Sequence, residues 1–125
     1  MSQVDDFAAI AAVVSLYAEG MCQGDPAKLR QAMHENACSI GHVDGGLEWD
    51  TREAFITTVM ATVVEPDTAP WHRINAISVT GDTAVVQVED IWEAMHYDDT
   101  LTLLKRNSRW QIVAKVFHYE FAEES

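Results

Sequence analysis

Two short polar breaks in an otherwise strand-forming run constrain this chain more than any other feature. Gly81-Asp82 separates WHRINAISVT from TAVVQVEDIW, and Asn107-Ser108 interrupts the run that ends near Tyr119. A Gly-led two-residue loop suits a tight hairpin. It sets Thr80 opposite Thr83, then Val79 with Ala84, Ile77 with Val86 and Asn75 with Val88. Continued without a break, it sets Arg73 opposite Asp90 and Trp71 opposite Trp92. The Asn107-Ser108 turn likewise opposes Lys105 to Trp110, Leu103 to Ile112, Leu101 to Ala114, Asp99 to Val116 and Tyr97 to His118. An even-length connection near Met95-His96 then sets Leu103 beside Val88, Leu101 beside Asp90 and Asp99 beside Trp92. With these turns Ile77, Val79, Ala84, Val86, Val88, Leu101, Leu103, Ile112, Ala114 and Val116 share one apolar face. A slip of one residue would turn a strand's whole set over, so the agreement between turns supports the register.

The segments before this meander read as helices. Phe7, Ile10, Ala11, Val14, Tyr17, Ala18 and Met21 recur at helical spacing over residues 3–22, with Ser2 as the expected N-cap. Gly24 ends that helix. Asp25-Pro26 opens a short second one, with Leu29, Ala32 and Met33 on its inner side. A first strand is expected over residues 37–42, followed by a Gly45-Gly46 loop. A third helix follows, capped by Asp50, with Phe55, Val59 and Val63 inside. Helices followed by a strand meander predict an α+β fold, with the N-terminal helices packed on one face of an antiparallel sheet.

At 125 residues the chain is long enough for a single domain, 1–125, with a core of its own. Its formal net charge of −12 and its scattered Lys and Arg residues argue against nucleic acid and anionic membranes as partners. The start MSQVDDFAAI lacks the pattern of an export signal, and no stretch reaches membrane-spanning length. A cytoplasmic location is therefore expected, with Cys22 and Cys38 as reduced thiols. No histidine or cysteine pair has ligand spacing, so no metal is expected. No dinucleotide, phosphate-loop or nucleophile-elbow motif occurs, and no cofactor is expected.

The candidate site lies at the Trp71/Trp92 end of the sheet. An Arg73 guanidinium opposite Asp90 could hold a ligand carboxylate or enolate, or simply close the sheet as an ion pair. Asp90 and Asp99 among apolar residues need partners, and two acids in one place can split acid and base roles. Tyr17 could donate to a developing oxyanion or be a core residue with a satisfied hydroxyl. His118 and His42 titrate near neutrality and are acid–base candidates. Trp71, Trp92, Tyr97, Trp49 and Phe55 would line a small-molecule pocket. The opposite face, with Val85, Gln87, Glu89, Ile91 and Glu93 on one strand and Val113, Lys115, Phe117 and Tyr119 on another, is too apolar for solvent and suits a two-fold homodimer interface.

VVSLYAEGMCQGD, AMHENA, GDTAVVQVE, the run Tyr97-x-Asp99-x-Leu101-x-Leu103-Leu104-Lys105, and the run from Trp110 to Phe117 resemble the nuclear transport factor 2-like superfamily in order and spacing. The nearest branch is the one named for lumazine binding and polyketide cyclases. The resemblance spans nearly the whole chain. It implies a cystatin-like cone: a strongly curved sheet wrapped around the helices, with a pocket at its open end and, in many members, a dimer through the outer face. It does not fix a chemistry, because this fold hosts many. In the steroid isomerases of the superfamily a helix-1 Tyr donates to an oxyanion and a first-strand carboxylate is the base. Tyr17 matches that Tyr, but Ile40-Gly41-His42 offers no carboxylate, which argues against steroid isomerisation. Dehydratase-like members use a His-Asp pair. Here Asp90 or Asp99 with His118, His42 or His34 would have to supply it. Two readings follow. One is a cofactor-free lyase, isomerase or hydrolase acting on a small carbonyl-bearing or anionic apolar molecule. The other is a dimeric binding or accessory module without turnover.

Overall fold

A computed structural model describes residues 3–121; Ser2, the expected cap of the first helix, lies outside them. Three helices precede or interrupt six strands: α1 (Gln3–Gln23), α2 (Pro26–Ala32), β1 (Met33–Val43), β2 (Gly46–Thr51), α3 (Arg52–Thr62), β3 (His72–Thr80), β4 (Thr83–Trp92), β5 (Met95–Arg106) and β6 (Arg109–Phe121). The fold is α+β. The strands form one sheet in the order β2-β1-β6-β5-β4-β3, with β2 and β3 as its edges. The expected all-antiparallel sheet is corrected at one point: β1 runs parallel to β6, with Ile40 beside Val116.

The helices form where caps and apolar stripes coincide. Ile10, Val14, Tyr17, Ala18 and Met21 of α1 are buried. Burial of a large apolar side chain contributes about 1.5–3 kcal/mol, so this stripe fixes α1 across the sheet. Asp25 caps α2 by accepting from the Ala27 and Lys28 backbone N–H groups. The cap of α3 is Thr51, whose hydroxyl accepts from Ala54 N, and not Asp50. Asp50 instead lies within β2, a strand not expected from the sequence. The missed signal is Asp44-Gly45, both with positive φ, a turn that returns the chain from Val43 to Gly46.

The hairpin turns fall where expected at Gly81-Asp82 and Asn107-Ser108, and the pairs nearest each turn are the expected ones. Further out, two bulges change the register. Asn75 is the extra residue of β3, so Arg73 lies opposite Glu89 and His72 opposite Asp90. Val113 is the extra residue of β6, so Leu101 faces Lys115, Asp99 faces Phe117 and Tyr97 faces Tyr119. One inserted residue reverses the alternation beyond it. Lys115 and Phe117, expected outside, therefore turn inward, while Val116, expected inside, is 49% exposed. The β4–β5 turn is Glu93-Ala94 rather than Met95-His96. That slip is even, so both strands keep their faces, but Val88 now faces Asp99 and Asp90 faces Tyr97.

Gly41 depends on the β6 bulge. A Cβ there would lie 2.6 Å from Cζ of Phe117, whose ring occupies the space a side chain would need. Gly41→Ala is expected to destabilise the protein by roughly 1–3 kcal/mol through overpacking, read as a lower midpoint in urea with an unchanged slope.

Candidate active site

The bulged β6 and the two central hairpin strands assemble a diagonal of ionisable side chains on the inner face. Asp90 on β4, Asp99 on β5 and Lys115 on β6 are each one diagonal step apart, because Asp90 faces Tyr97 while Asp99 faces Val88 on one side and Phe117 on the other. Diagonal neighbours are within reach of long side chains. Ser39 of β1 lies directly opposite Lys115. All four are almost fully buried: Asp90 0%, Asp99 1%, Lys115 2% and Ser39 3% exposed. Tyr17 of α1 completes the group from above, its hydroxyl donating to Asp99 Oδ2 at 2.8 Å.

The bonding of this group is incomplete. Neither oxygen of Asp90 has a hydrogen-bond partner, and Oδ1 of Asp99 has none. Lys115 makes no ion pair among the described residues. Its Nζ sits 4.1 Å from the Phe55 ring centre, 5.0 Å from Phe117 and 5.4 Å from Tyr17. The opposite end of the sheet shows how this chain treats a structural acid. There Asp6, also buried, receives both Lys105 Nζ at 2.9 Å and Trp110 Nε1 at 3.1 Å. Buried polar groups are ordinarily satisfied in this way. The orphaned oxygens of Asp90 and Asp99 require a proton of their own or a donor from outside the protein.

Burial and mutual repulsion set the protonation. Loss of water, reinforced by the Asp99 charge, pushes Asp90 up to about 8. Burial raises Asp99 as well, against the opposing pull of Lys115 and the Tyr17 hydrogen bond. Burial holds the Lys115 ammonium below the ordinary lysine range, although the carboxylates of Asp99, Asp90 and Glu48 draw it back. Tyr17 is pushed well above the phenol range by burial and the two acids, so it remains a donor.

A pocket of about 140 Å³ opens over this group. Phe55, Trp92, Tyr97 and Phe117 make its aromatic wall, and Lys115 and Ser39 are polar groups on that wall, with Glu48 and Asp50 also in the lining. Tyr97 is fixed by an edge contact to Trp92 at 5.9 Å and a stack on Tyr119 at 5.3 Å. Trp92 is fixed in turn by its Nε1, which donates to Met21 O at 3.1 Å. Neither Asp90, Asp99 nor Tyr17 forms part of the wall; they lie behind it.

The structure thus brings together Tyr17, Asp90, Asp99, Trp92, Tyr97 and Phe55 among the residues singled out from sequence. It places the others elsewhere. Arg73 is on the outer face, bonded through Nε to Glu89 at 3.0 Å, because the Asn75 bulge turns it away from Asp90. Trp71 precedes β3 and is 47% exposed, and Trp49 on the edge strand β2 is 66% exposed. His42 points outward from β1 and is exposed. His118 is exposed opposite Asp98, because the Val113 bulge reverses that end of β6. Lys115 is the residue sequence reasoning missed. The signal was present: beyond Ile112, the set Lys115, Phe117 and Tyr119 is bulkier than Ala114, Val116 and His118, and the bulkier set belongs inside.

The described residues hold one group of potential metal ligands, Glu89, His96 and Asp98, whose ligand atoms lie within 4.8 Å of one another on the outer face. Arg73 already neutralises Glu89 there and His96 bonds it at 2.9 Å, so it reads as an ion-pair cluster. Cys22 and Cys38 are free thiols. No described helix is long and apolar enough to cross a membrane.

Residues 5–118 match the family model described as "Putative lumazine-binding". The chain belongs to this family. Its structure has the nuclear transport factor 2-like fold, and the family's description implies a small-molecule ligand. A nuclear transport factor 2-like protein of unknown function from Silicibacter pomeroyi DSS-3 superposes with a TM-score of 0.91 at 35% identity, over 96% of this chain and 100% of that one. Another of unknown function, from Methylobacillus flagellatus KT, gives 0.85 at 28% identity, over 96% and 95%. Among curated proteins, aldolase FrzH from Cladobotryum sp is 29% identical over 120 residues, covering 90% of each chain.

The raised pKa of Asp90 has a consequence for this family member's stability. The folded protein binds the Asp90 proton more tightly than the unfolded chain, whose value is near 3.8. The associated stability is present at acid pH and is lost as pH rises through about 8. Asp90→Asn removes this dependence and leaves Lys115 in place. Relative to wild type, the variant should gain on the order of 15 °C in Tm between about pH 5 and pH 9, measured by calorimetry.

Proposed function

We propose that this protein is a cofactor-free enzyme of carbonyl chemistry, a lyase or isomerase whose substrate is a small, largely apolar aldehyde or ketone. The observation that carries this reading is the set of unpartnered buried oxygens on Asp90 and Asp99 behind an aromatic pocket, in a chain that gives Asp6 Oδ1 two donors. A carboxyl group held near neutrality is suited to taking and returning a proton at the carbon beside a carbonyl. Lys115, on the pocket wall, meets the carbonyl group; Tyr17 holds Asp99 through its hydrogen bond. The likeness to a protein named aldolase points the same way, since aldol chemistry begins with removal of that proton. Arg73 supplies no anion site at the pocket, because it is engaged on the outer face, and Glu48 and Asp50 in the lining disfavour an anionic ligand.

One observation favours a second reading, a binding module without turnover. Asp90 and Asp99 lie behind the pocket wall rather than on it. A thermal-shift screen with aromatic ketones, enones and pterins, followed by NMR of α-proton exchange in deuterium oxide, separates the two. The enzyme reading expects ketones to raise Tm by mass action. It also expects their α-protons to exchange at a rate that falls about 100-fold in Asp90→Asn. Stabilisation without exchange would establish the binding module.

The outer face supports a further part of the proposal, a homodimer. Val85, Ile91 and Val116 are exposed there at 42%, 37% and 49%. Lys115, expected on that face, is buried inside. Val116→Glu should convert a dimer to a monomer in light scattering coupled to gel filtration; a wild type that is already monomeric would refute the interface.

A further inference from the structure

Lys115 differs from the other lysines of the chain. Lys28 is bound by Glu19 at 3.3 Å and by Gln23 at 2.9 Å. Lys105 is bound by Asp6 at 2.9 Å. Lys115 has no ion pair among the described residues, is 2% exposed, and reaches the wall of a pocket lined by Phe55, Trp92, Tyr97 and Phe117. Three rings surround its Nζ. A lysine kept for charge alone would face a carboxylate, as Lys105 does. A lysine kept for packing would not end at a cavity.

We infer that Lys115 is a covalent catalyst whose ε-amine forms an imine with the carbonyl carbon of an aldehyde or ketone held in the aromatic pocket. The inference rests on the carbonyl reading of the site and names the group that would take hold of the substrate. In the step itself, the amine nitrogen attacks the carbonyl carbon and the C=O π pair moves to oxygen. The oxygen takes a proton, and the carbinolamine then expels it as water. The free amine, the carbonyl compound and one proton from Asp90 together give one iminium, one water and an ionised Asp90, so no oxidant or reductant is needed. Asp90, protonated near neutrality, is the store from which the departing oxygen is protonated. In its ionised form it can accept the α-proton that turns the iminium into an enamine. Desolvation helps twice. It keeps a fraction of the amine unprotonated and therefore nucleophilic, and aromatic walls limit the water that would hydrolyse the imine. Phe117 contributes to those walls only because Gly41 leaves room for its ring.

The test is reductive trapping on the full chain. The protein is incubated with benzaldehyde or phenylacetone and sodium cyanoborohydride, which reduces iminium ions in preference to free carbonyls. Intact mass and peptide mapping then locate the label. The expected result is one adduct per chain on the peptide carrying Lys115, falling to background in Lys115→Arg. A label absent from Lys115, or spread over Lys28, Lys105 and the amino terminus, overturns the inference. The wild-type map is decisive by itself if the variant fails to fold. Where trapping fails but ketones still raise Tm and exchange their α-protons, the covalent role is refuted and the carbonyl reading stands with Lys115 as a fixed cation. Where ketones neither bind nor label the protein, both fall.

Discussion

The inner face of this sheet carries two acids and one base with too few partners between them, and much of the local structure follows from that constraint. An unpaired buried charge costs several kcal/mol. The protein lowers the cost by leaving Asp90 protonated near neutral pH, by placing the Tyr17 hydroxyl on Asp99, and by surrounding the Lys115 ammonium with ring faces. Each device needs a particular backbone. Tyr17 must sit on the buried stripe of α1, and Lys115 must be turned inward by the extra residue at Val113. Phe117 must have a glycine beneath it. The result is a site whose polarity is fixed by packing rather than by salt bridges.

This arrangement contrasts with the outer face of the same strands. There Arg73, Glu89 and His96 form a closed set of ion pairs and hydrogen bonds, and Glu89 is held down to about 2 by its bonds to Asn75, His96 and Arg73. Such satisfied surface pairs contribute little to stability and have no unused valence for a ligand. The two faces of β4 thus carry adjacent acids, Glu89 and Asp90, with opposite displacements of pKa. One residue of pleat separates a carboxyl pushed down by its partners from one pushed up by burial.

How much of this was legible in the sequence depended on how far each residue lay from a turn. The pairs next to Gly81-Asp82 and Asn107-Ser108 followed directly, as did the Asp25-Pro26 helix start and the α1 stripe that delivers Tyr17. Asp90 and Asp99 were found because an acid in an apolar run stands out. What failed lay beyond a bulge. Asn75 and Val113 are unremarkable residues, and a bulge is marked by no residue type, only by a change in which alternate positions are bulky. Arg73, His118 and Lys115 were therefore assigned to the wrong faces, each by a single inserted residue. β2 was lost for a different reason: its run is short, and the Asp44-Gly45 turn was read as loop rather than as the link of a hairpin.

The parallel pairing of β1 with β6 joins parts of the chain that are distant in sequence, with Ser39 beside Lys115 and Gly41 beside Phe117. Closing so long a loop is entropically slow. The hairpins β3–β4 and β4–β5 are local and can form early, so the two acids are brought together before the lysine's surroundings exist. During synthesis β6 emerges after β4 and β5, which favours the same order. Until it docks, the nascent chain has a half-built pocket whose acids lie open to water and are ionised. Because burial is what raises the Asp90 carboxyl to about 8, completing the sheet is coupled at neutral pH to uptake of a proton there.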